Sequence, residues 1–322
     1  MKKSLTPPWV TVGKKVSSIF YSYLGFLCDL VSWWFKFVLL VFAYLYFLNA
    51  AFSQEGIQLV DDRGKLIVLT APAKRIISLA PHLTENIFAI EAGDRLVGVT
   101  RFSDYPTEAT KIAIVGDSTQ INYERIITLN PDLILGWKTG NRMSDIARLE
   151  QLGFTVWVSE PSAITDVPRL MRSIGVLVGN KKQAEFAARK FELSIERLRE
   201  QYAGHKRISV LYQVWQQPLM TVNDKHIISD VISLCGGINI YASVSQLTPT
   251  VSIESVIAAN PKAIITSGYN DIALWQRYPL VEAVRKGRFY NIHPDLLQRH
   301  GPRIAEGAKL MCEYLDKVRL EE

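Results

Sequence analysis

The stretch ERIITLNPDLI (124–134) returns 130 residues later as ESVIAANPKAI (254–264). Each copy reads as one or two helical turns, an Asn-Pro break, and then a buried strand. A second pair points the same way: RIISL (75–79) opens the first half as a β-branched strand, and RISVLY (207–212) opens the second, 132 residues on. Two matches at nearly equal offsets predict two lobes built to one design.

Working outward from the first copy, the chain alternates short strands with short helices. After RIISL, the segment APHLTE (80–85) opens a helix through about Ala92, with Thr84 as the expected N-cap and Gly93 as the stop. Leu96–Val99 reads as a strand, 123–129 as a helix, and Leu133–Leu135 as the start of another strand. A helix over Ile146–Leu152, ended by Gly153, and a strand over Phe154–Val158 follow. This alternation predicts α/β layers around a parallel sheet.

Between the halves lies the most regular helical pattern in the chain. Ala184, Ala187, Ala188, Phe191, Ile195, Leu198 and Tyr202 fall on one stripe, with Lys, Arg, Glu and Gln between them. At 1.5 Å per residue, 181–202 spans roughly 33 Å, enough to cross a domain. The expected fold is therefore α/β, with two similar lobes (56–178 and 204–322) joined by a single long bridging helix (179–203) and a ligand cleft between them. A long core helix inside one larger domain is the other reading of the same stripe.

The 322 residues are 48% hydrophobic and 21% charged, a folding composition that excludes a disordered or fibrous chain. The net charge of +6 suggests nucleic acid until it is counted by segment. Residues 1–53 hold five lysines against one acid, Asp29, and the rest of the chain holds 32 basic against 30 acidic groups. Most of the positive charge thus belongs to a leader, and no nucleic-acid partner is expected. Lys2, Lys3, Lys14 and Lys15 precede the charge-free run FVLLVFAYLYFL (37–48), and Ala50, Ala51 and Ser53 follow. That order describes an export signal, with Ala51-Phe52-Ser53 as a cleavage tripeptide. Both cleavage and retention as an uncleaved anchor fit the pattern, and under either one the lysines stay inside and the body is exported. Beyond the leader stand two cysteines, Cys235 and Cys312. In an exported protein such a pair reads as one disulfide, with two buried thiols as the alternative.

Catalytic chemistry has no foothold in the sequence. There is no glycine-rich phosphate loop and no Gly-x-Ser-x-Gly elbow, so no catalytic residue and no cofactor are expected. The five histidines (82, 205, 226, 293 and 300) include no His-x-x-x-His pair. His82, His293 and His300 are candidates to converge at strand ends, where three imidazoles suit zinc, but solvated loop histidines are the plainer reading and no metal is expected. A two-domain α/β enzyme using His82, His293 or Asp295 is the least favoured alternative. Aromatic side chains stand instead where strands deliver the chain to the ligand edge of a sheet: Phe102, Trp137 and Trp215. Each has the alternative role of capping the core of its own lobe. Asp295-Leu296-Leu297-Gln298-Arg299 follows another strand and adds polar groups, while Arg299 and Arg303 pairing with surface acids is the other reading. Glu124 and Glu254 are equivalent under the repeat, each two residues after a good N-cap, Asn122 or Ser252. The helix dipole favours a carboxylate there, and symmetric exposed acids also suit the basic pockets of a two-fold partner.

Taken together, RIISLAPHLTE (75–85), VGVTRFSDYP (97–106), NYERIITLNPDLILGW (122–137), LCGGINIY (234–241) and DLLQRHGPRI (295–304) with LMC (310–312) carry a resemblance. Residues 56–318 resemble the periplasmic substrate-binding proteins of the cobalamin and iron-siderophore class, and most resemble its cobalamin binders. The resemblance implies a cobalamin held edge-on between two lobes that move little because the bridging helix is stiff. It implies ligand contacts at Phe102 (usually Tyr in the family), Trp137 and Asp295–Arg299, with Trp215 as further surface. It implies that Glu124 and Glu254 dock onto arginines of a two-subunit ABC permease with its ATPases, that Cys235 and Cys312 are disulfide-bonded, and that the protein acts as a monomer. Two tryptophans of the family's pocket are Ser118 and Thr248 here. Haem or a ferric siderophore on the same scaffold is the alternative ligand.

Overall fold

Both copies of the repeat adopt one local structure. In the computed structural model, which describes residues 40–41, 56–267 and 272–322, the helices Tyr123–Leu129 and Ile253–Ala259 are each seven residues long. Asn122 and Ser252 cap them, their side chains accepting from the amides of Arg125 and Ser255 at 2.9 and 3.2 Å. Each helix ends on an asparagine, Asn130 or Asn260, at φ 44° and ψ 63°. The left-handed turn is one that Asn tolerates, and the following proline cannot continue a helix, so the chain turns directly into a strand.

Those strands are the centres of two parallel sheets. In the first, β3 (Ile76–Ser78), β4 (Leu96–Val99), β5 (Leu133–Trp137) and β6 (Val156–Ser159) lie in the order β4-β3-β5-β6. In the second, β7 (Ile208–Gln213), β8 (Gly237–Asn239), β9 (Ala263–Thr266) and β10 (Phe289–Asn291) lie in the order β8-β7-β9-β10. The two orders are the same once β3 is matched to β7 and β5 to β9, so the repeat seen in the sequence is a repeat of topology. A short antiparallel hairpin, β1 (Ile57–Val60) with β2 (Leu66–Leu69), precedes the first lobe and was not expected from the sequence.

The bridging helix, Lys181–Tyr202, runs the full length that its stripe predicts. Ala184, Ala188, Phe191, Ile195 and Tyr202 are buried in one continuous apolar core that includes residues of both sheets. Helix Asp166–Val178 lies close against it because position 175 is glycine: a Cβ there would stand 2.3 Å from the Cβ of Ala184. At the other end, helix Ile304–Leu320 carries Cys312, which is bonded to Cys235 at the end of helix Ile227–Leu234. Both cysteines are fully buried, and the bond closes a loop of 77 residues. Replacing both by serine is expected to cost about 2–5 kcal/mol of stability, seen as a lower urea midpoint than that of the oxidised protein. Equal midpoints before and after reduction would show that the bond does not form in solution.

Some expectations need correction. The helix after β3 is Pro81–Ala89, with Ala80 rather than Thr84 at its N-cap. Proline at the first helical position is already set for helix entry. Thr84 sits inside the first turns, buried, with its hydroxyl donating to Ser78 Oγ at 2.9 Å. The tail Asp295–Arg299 is no open loop either: Pro294–Leu297 is a helical turn capped by His293. The leader's cleavage tripeptide lies outside the described residues. Among those described, no helix is long and apolar enough to cross a membrane, and Gly56–Glu322 forms a compact unit of its own.

Candidate functional site: a cavity between the lobes

Parallel strands deliver their C-terminal ends to one edge of a sheet, where ligands of open α/β sheets bind. The two sheets place these edges on either side of a cavity of about 320 Å3. From the first lobe come Trp137 at the end of β5, and Glu160, Pro161 and Ser162 just after β6. From the second come Val214 after β7, Lys225 to Ile228 at the start of their helix, Leu247, Thr248, Gln298 and His300. Burial pushes the Glu160 carboxyl above its usual range, against two hydrogen bonds from Thr139 at 2.9 and 3.0 Å.

The inner wall is aromatic. Trp137 meets His82 edge-on with ring centres 5.0 Å apart and His300 at 5.5 Å, while His226 meets His300 at 5.3 Å. Burial lowers the pKa of all three histidines to about 3, helped at His226 by His300 and at His300 by His82. The wall is therefore uncharged at neutral pH. The indole Nε1 of Trp137 and the Nε2 of His82 are buried without a hydrogen-bond partner among the described residues. A larger depression of about 720 Å3 lies beside this cavity, lined by Arg207, Asp224, Asp230 and Asn239 among others. It has no aromatic side chain and so offers no flat surface to a planar ligand.

The structure separates the sequence candidates for ligand contact into four groups. Trp137 and Gln298 line the cavity, Gln298 donating to Ser267 Oγ at 2.8 Å. Phe102 and Trp215 do not line it; they are 68% and 62% exposed, on the loops that leave β4 and β7 at the same sheet edges. Phe102 sits at φ 67°, and the Trp215 indole is held by a bond to the carbonyl of Gln217 at 3.0 Å. The third group points elsewhere: Leu297 is fully buried in the core and Leu296 packs partly against it.

Asp295 and Arg299 join a charged network across the lobe boundary. Glu85, on the first lobe, accepts from Arg303 at 2.6 and 3.0 Å and from Arg299 at 3.2 Å. Arg299 also binds Asp104 at 2.7 Å and Asp295 at 3.0 Å, and the Arg303 guanidinium stacks 4.1 Å above the Tyr105 ring. The hydrogen bond from Arg299 holds the Asp104 carboxyl below the usual carboxylate range. Arg299 thus does pair with a surface acid, Asp104, whose side chain is 53% exposed, but both arginines also share Glu85, whose side chain is 2% exposed. Two further bonds cross the boundary, from Ile164 N to Asp230 at 2.9 Å and between His300 Nδ1 and the Pro161 carbonyl at 3.1 Å.

Of the three histidines expected to converge, His82 and His300 do. His293 instead caps the turn Pro294–Leu297 through its Nδ1. His226 takes its place, and nothing in its spacing could have shown this. Thr248, noted in the sequence only as a departure from the family, lines the cavity; Ser118 does not. Glu124 and Glu254 are exposed in the first turns of their capped helices, apart from the cavity.

Two equivalent lobes, one long helix and an aromatic cleft define a substrate-binding protein. The periplasmic binding protein family matches residues 76–296, and the chain belongs to that family. It is 37% identical over 254 residues to the vitamin B12-binding protein of Vibrio cholerae serotype O1, across 78% of this chain and 92% of that one. The crystal structure of the periplasmic vitamin B12-binding protein BtuF of Vibrio cholerae superposes with a TM-score of 0.72, covering 77% of this chain and 98% of that chain. The periplasmic haem-binding protein RhuT of Roseiflexus sp. RS-1 has the same fold, with a TM-score of 0.68, 24% identity, and coverage of 76% and 99%. Membership makes this chain a binding protein and not an enzyme.

Proposed function

We propose that the protein captures cobalamin in the periplasm and hands it, as a monomer, to a two-subunit ABC permease with its ATPases. The observation that carries this reading is the cavity between the lobes, with its wall of Trp137 and uncharged imidazoles, on a scaffold 37% identical to a vitamin B12-binding protein. At about 320 Å3 the cavity sits at the small end of ligand pockets, and a corrinoid exceeds a drug-sized ligand. One edge of the macrocycle would enter against Trp137 and the imidazoles. The rest would stand between the lobes, where the exposed rings of Phe102 and Trp215 offer apolar surface and Gln298, Thr248 and Lys225 can hydrogen-bond peripheral amides. A leader bearing the chain's excess lysines supports export.

Titration with cyanocobalamin, haemin and a ferric siderophore tests the ligand, read by tryptophan fluorescence with correction for absorbance. Saturable quenching by cyanocobalamin below about 10 μM is expected, on a scale where 1 μM corresponds to −8.2 kcal/mol. Its absence, or tighter binding of haemin or the siderophore, would overturn the reading.

A further inference from the structure

Two imidazoles on the cavity wall are held in opposite tautomers by the backbone. The Nδ1 of His300 lies 3.1 Å from the Pro161 carbonyl, which can only accept, so this nitrogen carries the proton and Nε2 holds a lone pair. The Nδ1 of His226 accepts the Ile228 amide at 3.2 Å, so here Nδ1 holds the lone pair and Nε2 carries the proton. Burial keeps both rings unprotonated, so neither changes its role. Both line the cavity, with ring centres 5.3 Å apart. Neither Nε2 has a hydrogen-bond partner among the described residues. The wall thus presents one acceptor and one donor on neighbouring rings.

A primary carboxamide has the matching pair, an N–H that donates and a C=O that accepts. A carboxylate of the same shape has acceptors alone, so one of its oxygens would face the His300 lone pair. The corrin rim carries propionamide side chains, whereas a haem carries propionates. We infer that His300 and His226 read a propionamide of the corrin rim from both ends, and so reject a ligand with a carboxylate there. His300 Nε2 accepts from the amide NH2 group, and His226 Nε2 donates to its carbonyl. Such a side chain is small enough for a cavity of about 320 Å3 that receives one edge of the macrocycle, and it has to meet only one edge atom of each imidazole. Trp137, edge-on to His300 at 5.5 Å, is a positioning residue that packs against that ring. Among the residues lining the cavity, Lys225 is the single lysine or arginine and it is exposed, while Glu160 adds a carboxyl that opposes a second one. The inference rests on the corrinoid reading of the cleft and adds to it what separates amide-edged from acid-edged macrocycles.

The test compares cyanocobalamin with its monocarboxylic acids, in each of which one propionamide is hydrolysed. Titrations are read by tryptophan fluorescence with correction for absorbance. Cyanocobalamin should bind at least about tenfold more tightly than one of these acids, the effect of leaving a buried partner unsatisfied. In His300→Gln, whose side-chain amide can turn to donate to a carboxylate, that preference should fall below about threefold. Because a variant can misfold, the unaltered protein is also labelled with 15N-histidine, and the resonance of an unprotonated Nε2 should move when cyanocobalamin is added. Equal binding of cyanocobalamin and all of the acids, or tighter binding of an acid through Lys225, overturns the amide reading and leaves the cobalamin reading intact. So does a preference that survives in a folded His300→Gln, or a set of 15N-histidine resonances that stays in place while cyanocobalamin binds. Absence of cyanocobalamin binding overturns both.

Discussion

Replacing Glu85 by alanine is expected to destabilise the protein by about 3 kcal/mol, toward the lower end of the cost of breaking a buried ion pair. The side chain is 2% exposed, and it accepts three hydrogen bonds from two guanidinium groups that are each 13% exposed. Without it, Arg299 keeps Asp104 and Asp295, but Arg303 keeps only a contact of 3.7 Å with Asp295 and the Tyr105 ring. A poorly compensated cation in a half-buried position is costly, whereas the surviving partners of Arg299 limit the loss. Urea unfolding of Glu85→Ala and Glu85→Gln would read it as a lower midpoint. A change below about 1 kcal/mol would mean that the network behaves like exposed pairs. Because these bonds tie the first lobe to the tail of the second, the same variants should also loosen the cleft, seen as faster proteolysis near residues 295–303.

The second large effect concerns delivery. On the proposed function, Glu124→Lys combined with Glu254→Lys should reduce corrinoid uptake by cells to background while ligand affinity stays within about twofold. Both acids are exposed, and they occupy equivalent places on the two lobes, each in the first turn of a capped helix. The backbone amide and the Ser252 hydroxyl hold the Glu254 carboxyl below its usual range, so it stays ionised under any physiological condition. On that proposal, two equivalent negative points on one protein would match two positive pockets on a two-subunit partner. Equal loss of ligand affinity would instead mean that the acids serve only their own helices through the dipole. Normal uptake by the double variant would remove them from docking altogether.

The architecture was legible because it rests on local rules. Asn-Pro after a short amphipathic helix dictates a left-handed turn and then a strand, and the chain obeys at Asn130 and Asn260 with identical backbone angles. The stripe from Ala184 to Tyr202 needs only the helical period to be read. The site was less legible. Leu297 reads as a cleft residue from its place after a strand, yet one turn of helix rotates it into the core and leaves Gln298 facing the cavity. Thr84 reads as a cap, but Pro81 starts the helix earlier and the hydroxyl turns back to Ser78.

The two-lobed α/β plan and the helix along the Ala184–Tyr202 stripe could be read from the chain alone, because they follow from periodicity and turn chemistry. The count of thiols left one disulfide and two buried thiols both open, and the fold chose the disulfide by bringing Cys235 against Cys312. That His226, and not His293, joins His82 and His300 became visible only in the packed chain. It alone gave Arg299 and Arg303 the buried Glu85 as partner, over 200 positions away in the chain. The physical reason is common to both cases. An imidazole or a guanidinium obeys no spacing rule; its protonation and its partners depend on what packs against it, and here that comes from the opposite lobe.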